Sequence, residues 1–136
     1  MIFLDTSYLV ALAVPADGLH DAAMAWTAVT SGPFITTEFV LLEFVNLLSS
    51  PNQRPKSHGV LCSIYGNSSI HVVPATAELF QRGLALHGAR LDKSWSLTDC
   101  ISFEVMRSAQ ATDALTYDQH FEQAGFRALL RGKPPG

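Results

Sequence analysis

The sequence predicts an α/β fold, a sandwich of helices around a central, mainly parallel sheet. Two observations lead there. Short β-prone apolar runs recur at Ile2–Leu4, Phe34–Thr36, Ile70–Val73, Ala114–Thr116 and Phe126–Leu130, and helical patterns separate them. A hydrophobic content of 48% against 15% charged residues, over 136 residues, suits a packed globule with one core. A single domain spanning residues 1–136 is expected, with residues 131–136, rich in Gly and Pro, as a frayed tail.

Ile2–Leu4 is apolar on successive residues, as a strand covered on both faces would be. The apolar stretch Tyr8–Val14 reads as a helix stopped by Pro15 and Gly18. Leu19, Ala22, Ala23, Trp26 and Val29 fall at helical spacing, and Gly32-Pro33 ends that run. Glu38–Leu48 is apolar nearly all round, which predicts a helix central to the core. Ser49–Ser57, with Pro51 and Pro55, reads as an exposed loop, and Val60–Tyr65 as a helix between Gly59 and Gly66. Thr76–Leu91 is a long helix with Leu79, Phe80, Leu84 and Leu86 as core candidates. Ser96 and Asp99 have the spacing of a capping box that starts another helix. His120–Gln123 forms a short helix between the last two strands.

The formal net charge is −3, and its distribution is uneven. Residues 1–53 hold five acids and no Lys or Arg, whereas the remainder holds nine bases and seven acids. Phosphate contact is permitted by this balance but not predicted by it. Cys62 and Cys100, isolated from each other, read as buried small hydrophobes in a reducing compartment. The run Leu9–Val14 before Pro15-Ala16 superficially resembles a secretory signal. No basic residue precedes Arg54, however, and Asp5 breaks the stretch. No apolar run approaches the roughly 18 residues of a membrane span. A cytoplasmic protein without membrane association is expected.

Four carboxylates stand where apolar sequence should least tolerate them. Asp5 closes Ile2-Phe3-Leu4, and Glu43 interrupts Val40-Leu41-Leu42 and Phe44-Val45. Asp99 opens Cys100-Ile101-Ser102-Phe103, and Asp118 follows Leu115-Thr116-Tyr117. An unpaired buried carboxylate costs several kcal/mol, as an order of magnitude. No Lys or Arg adjoins any of the four, so a cation outside the sequence is implied. In open parallel sheets functional groups gather beyond the carboxyl ends of strands, which suits Asp5 and Asp118. Each acid also has a structural reading. Asp5 and Asp118 can cap the helices that follow them, and Asp99 can serve its own helix start. Glu43, in mid-helix, has no capping role to play.

These runs resemble the ordered motifs of the PIN-domain nucleases. Phe3-Leu4-Asp5-Thr6-Ser7, Val40-Leu41-Leu42-Glu43-Phe44, Trp95-Ser96-Leu97-Thr98-Asp99-Cys100 and Ala114-Leu115-Thr116-Tyr117-Asp118-Gln119-His120-Phe121 carry the likeness. The last two are similar to the VapC-type toxin ribonucleases of toxin–antitoxin pairs. The resemblance implies a PIN-like three-layer α/β/α sandwich with four to five strands. It also implies an acidic site of Asp5, Glu43, Asp99 and Asp118, with Ser7 and Thr116 as hydroxyl helpers. Further implications are cleavage of an RNA such as tRNA or another structured RNA, a small cognate antitoxin, and a homodimer. Asn46, one turn beyond Glu43, can reach the same crevice or turn inward as a backbone-satisfied amide. Residues 51–75 gain little from the likeness.

An all-oxygen carboxylate set favours hard cations, and Mg²⁺ or Mn²⁺ suits phosphate chemistry. Such an ion activates water for attack on phosphorus, and a second, roughly 4 Å away, can stabilise the leaving 3′-oxygen. Arg54, Lys56, Arg90 and Lys93 lie in or near loops where they can steer phosphates. Trp95, close before Asp99, can stack on a base, although a core role is favoured. His120 can serve as a proton donor, although the motif explains it better as part of the short helix after Asp118. Among rivals, a haloacid-dehalogenase-like domain needs a second Asp where Ser7 stands, and a receiver-like domain needs a Lys ending a late strand. A PIN-like interaction module without turnover has no need of four costly carboxylates.

Overall fold

The computed structural model describes residues 1–136. Five parallel strands form one sheet: β1 (Ile2–Leu4), β2 (Phe34–Thr37), β3 (Ile70–Val73), β4 (Asp113–Leu115) and β5 (Arg127–Ala128). Their order is β3-β2-β1-β4-β5. The helices are α1 (Thr6–Ala13), α2 (His20–Val29), α3 (Glu38–Leu47), α4 (Arg54–Tyr65), α5 (Ala77–Ala89), α6 (Leu97–Ser108) and α7 (Gln119–Gln123). A 3₁₀ turn, Leu129–Arg131, follows β5. The expected α/β sandwich is present, and its sheet is wholly parallel.

Register places the functional end. Phe3 pairs with Ile35 on one side and Ala114 on the other, so β1 is central. The chain proceeds outward from β1 through β2 to β3, then returns to the other side at β4. The gap between the ends of β1 and β4 is therefore a switch point, where the chain's direction of winding reverses and a crevice opens. Phe3, Leu115, Phe103 and Phe121 are fully buried beneath it, with Phe103 edge-on to Phe121 at 5.0 Å.

Several helices depart from expectation. The helix containing Glu43 is not central: Leu42 and Leu47 are 60% and 61% exposed, while Val40, Leu41 and Phe44 are buried. An all-apolar pattern cannot tell a surrounded helix from one that leaves an apolar stripe uncovered. Of the core candidates on α5, Leu79 is buried, but Phe80 and Leu84 lie on the exposed side and Leu86 is intermediate. Helix α4 begins within the expected loop, because Pro55 in its first turn needs no hydrogen-bond partner there. Ser57 is accordingly fully buried. Cys62 is exposed, contrary to expectation, and Cys100 is buried. Nor do the first tail residues fray: Arg131 donates to the Tyr117 carbonyl at 3.0 Å, and Trp26 Nε1 to the Gly132 carbonyl at 3.3 Å.

Helices α5 and α6 approach closely because Gly83 offers no side chain. A Cβ there would run into the Ile101 side chain. Overpacking costs about 1–3 kcal/mol, against about 1 kcal/mol of helix propensity gained from Gly to Ala. Gly83→Ala is expected to lower stability by about 1–2 kcal/mol in urea denaturation, and a stabilised variant would show that the helices part freely.

Candidate active site

Asp5 leaves β1 as the N-cap of α1, yet its side chain makes no capping bond. It turns instead toward β4: Thr116 Oγ1 donates to Asp5 Oδ2 at 2.7 Å across 111 residues of sequence. Ser7 Oγ lies 3.4 Å from the same oxygen and 3.2 Å from Thr116 Oγ1. Both helper hydroxyls are thus joined to Asp5. Burial pushes the Asp5 carboxyl up to about 7, the Thr116 hydroxyl and Thr6 amide oppose this, and the Asp99 and Glu43 charges add to it.

Asp99 is held by the capping box, its Oδ2 accepting from Ser96 N at 3.1 Å while Ser96 Oγ accepts from Asp99 N at 3.0 Å. Asp118 caps α7, accepting from His120 N at 2.9 Å. Both structural readings are therefore real, and each occupies only one oxygen of its carboxylate. Glu43 makes no hydrogen bond or ion pair within the chain, and Thr37 caps its helix instead.

All four acids border one cavity of about 410 Å³, at the switch point. Asn46 does not reach it. That residue is exposed, beside a smaller neighbouring depression of about 300 Å³ that Glu43 also borders, so the inward-turned reading of its amide is overturned. The outward face of α3 explains this.

Two further titratable residues face the main cavity. Asp17, in the α1–α2 connection, borders it while its Oδ1 accepts from Leu19 N at 2.8 Å. No local sequence signal marked it, since its place depends on how α1 and α2 meet. His120 is more than a helix residue: its Nδ1 lies 2.9 Å from Asp99 Oδ2 and 3.3 Å from Asp118 Oδ1. A carboxylate can only accept, so this nitrogen carries a proton in that arrangement. The Asp-x-His spacing after the last acid was the available clue.

The donor set suits a hard divalent cation. One oxygen each of Asp99 and Asp118, and both of Glu43, lack a donor in the chain. Ligand atoms of Asp99, Asp118 and His120 lie within 4.8 Å of one another, close enough for the two carboxylates to share an ion, which His120 joins only through a ring nitrogen free of its proton. Trp95 is buried, as expected, with Nε1 donating to Gln123 Oε1 at 3.0 Å. Arg90, a candidate phosphate contact, is committed to both oxygens of Asp92 at 3.0 Å.

A parallel sheet with an acidic cavity at its switch point, built from these motifs, defines the class. The chain belongs to the PIN domain family, whose pattern matches residues 2–127. It is 30% identical over 128 residues to the 23S rRNA-specific endonuclease VapC20 of Mycobacterium tuberculosis, in strains CDC 1551 and H37Rv, covering 93% of this chain and 95% of the relative. The crystal structure of M. tuberculosis VapC20, a sarcin–ricin loop cleaving toxin, matches with a TM-score of 0.85 at 27% identity, over 93% of this chain and 96% of that one.

Proposed function

We propose that this chain is a metal-dependent endoribonuclease, the toxin of a toxin–antitoxin pair, acting on ribosomal RNA as its VapC20 relatives do. The observation that carries the reading is the meeting of Asp5, Glu43, Asp99 and Asp118 in one cavity from four separate elements. Those acids hold Mg²⁺ or Mn²⁺, with Ser7 and Thr116 fixing Asp5. The bound ion supplies Lewis-acid activation of water and of the phosphate oxygens. The chain's own residues orient and move protons. Glu43, whose two oxygens have no partner within the chain, has one free to take the water's proton as the new O–P bond forms. The P–O3′ bond breaks, and the leaving oxygen is protonated from solvent, giving a 5′-phosphate and a 3′-hydroxyl.

A small antitoxin neutralises the cavity with a basic side chain, and the exposed Leu42 and Leu47 of α3 supply part of a homodimer face. No helix is long and apolar enough to cross a membrane, which accords with action in the cytoplasm. The whole chain acts as one nuclease domain.

Incubation with ribosomal RNA, and separately with tRNA, tests this. Discrete ribosomal RNA fragments bearing 5′-phosphates are expected with Mg²⁺ or Mn²⁺ and none with EDTA. Cleavage undiminished by EDTA would refute the metal dependence, and intact RNA under all conditions would refute the nuclease reading.

A further inference from the structure

Between Thr116, which donates to Asp5, and Asp118, which borders the acidic cavity, the chain places a half-exposed aromatic residue. Tyr117 is 44% exposed, whereas Tyr8 and both tryptophans are buried. Its hydroxyl has no partner. Among the other exposed aromatics, Tyr65 donates its hydroxyl to Glu38 at 3.0 Å and Phe80 lies 6.3 Å from Phe39, whereas Tyr117 meets only the Arg131 guanidinium.

The backbone of Tyr117, in contrast, is fixed on both sides. Its N–H donates to Ser7 Oγ at 3.1 Å, and its carbonyl accepts from Arg131 at 3.0 Å. Ser7 contacts Asp5 and Thr116, so the ring's base is tied to the acidic site itself. Arg131 places its guanidinium 4.9 Å from the ring centroid, and Glu122 holds the Arg131 Nε at 2.9 Å. Its place over the ring is thus braced from two directions.

We infer that Tyr117, backed by Arg131, is a stacking subsite for a nucleobase beside the scissile phosphate. The inference rests on the nuclease reading and adds to it a residue that positions substrate. Three arguments support it. Consecutive Cα atoms are about 3.8 Å apart, so the ring starts within reach of a nucleotide flanking one bound at Asp118. A rigid aromatic with an open face receives any base, and single-stranded RNA loops are bound this way. Its surroundings, Asp118, Gln119, Glu122 and Arg131, are polar, which suits an isolated π-face contact better than an apolar protein surface.

The test is a hairpin of the sarcin–ricin loop with 2-aminopurine replacing each loop adenine in turn. In EDTA, where no cleavage is expected, wild-type protein should quench at least one position on binding, and Tyr117→Ala should not. With Mg²⁺ or Mn²⁺, Tyr117→Ala should raise KM roughly 5- to 150-fold with a smaller change in kcat. Tyr117→Phe and Tyr117→Trp, which keep the ring, should behave as wild type. A melting temperature unchanged in Tyr117→Ala separates this from a folding defect. Wild-type KM and quenching in Tyr117→Ala would overturn the inference, and so would a Tyr117→Phe variant as impaired as Tyr117→Ala. Quenching without any cleavage by wild type would uphold the subsite and fail the nuclease reading.

Discussion

Asp99→Asn is expected to reduce RNA cleavage about a thousandfold, while the protein folds as before. The separation is possible because Asp99 has two jobs on one carboxylate. Its Oδ2 accepts the Ser96 amide within the capping box, and an Asn carbonyl can accept the same bond. The start of α6 therefore survives. What Asn cannot supply is negative charge, and an amide is a poorer ligand for a hard cation than a carboxylate. It also removes the charge partner that His120 Nδ1 meets at 2.9 Å. Single-turnover cleavage with Mn²⁺, read beside circular dichroism and urea denaturation, checks both halves. Full activity in the folded variant would remove Asp99 from the mechanism. Asp118→Asn is expected to be the milder change. That side chain is 33% exposed, against 11% for Asp99, so solvent replaces more of what it loses.

Much of this site was legible because its parts sit on local signals. An Asp after an apolar strand, a Ser-x-x-Asp at a helix start and a Glu inside an apolar helix each appear within a few residues of sequence. The parallel sheet then explains their meeting, since β1 and β4 are neighbours that end at the same edge. What stayed hidden depends on tertiary placement. Asp17 reaches the cavity only through the angle of the α1–α2 connection. His120 reaches Asp99 only because α7 packs against α6, where Phe121 and Phe103 meet at 5.0 Å. The outward turn of α3, which exposes Asn46 and Leu47, was illegible for a different reason. Its residues are apolar on nearly every side, so periodicity names no single buried face. Helix α4 was read as partly loop because Ser, Pro and Asn dominate before it, although Pro suits a first helical turn.

Asp5→Asn is expected to make the metal-free protein more stable at pH 8, on the order of 4 kcal/mol, and to leave it little changed at pH 4. The sign follows from burial. In the folded chain the Asp5 carboxyl titrates at about 7, against 3.8 as its ordinary value. The folded state thus holds this proton more tightly than the unfolded chain does. Stability from the protonated carboxyl is fully present below about pH 4 and is lost as pH rises through 7. Above that, the fold carries a buried anion near Asp99 and Glu43, with the Thr116 hydroxyl, the Thr6 amide and the more distant Ser7 hydroxyl to relieve it. Asn has no proton to lose, and its carbonyl still accepts from Thr116, so its stability should lack this decline. Divalent cation should reverse the order, because a ligand that favours the anion stabilises the folded wild type in proportion to RT ln(1 + [L]/Kd). Urea denaturation at pH 4, 6, 7 and 8, with EDTA and with Mn²⁺, reads out both effects. Parallel curves for wild type and variant in EDTA would mean that Asp5 is ionised at little cost, its charge already balanced within the chain. Divergence in EDTA that closes on adding Mn²⁺ would locate the cation at Asp5 without any assay of cleavage.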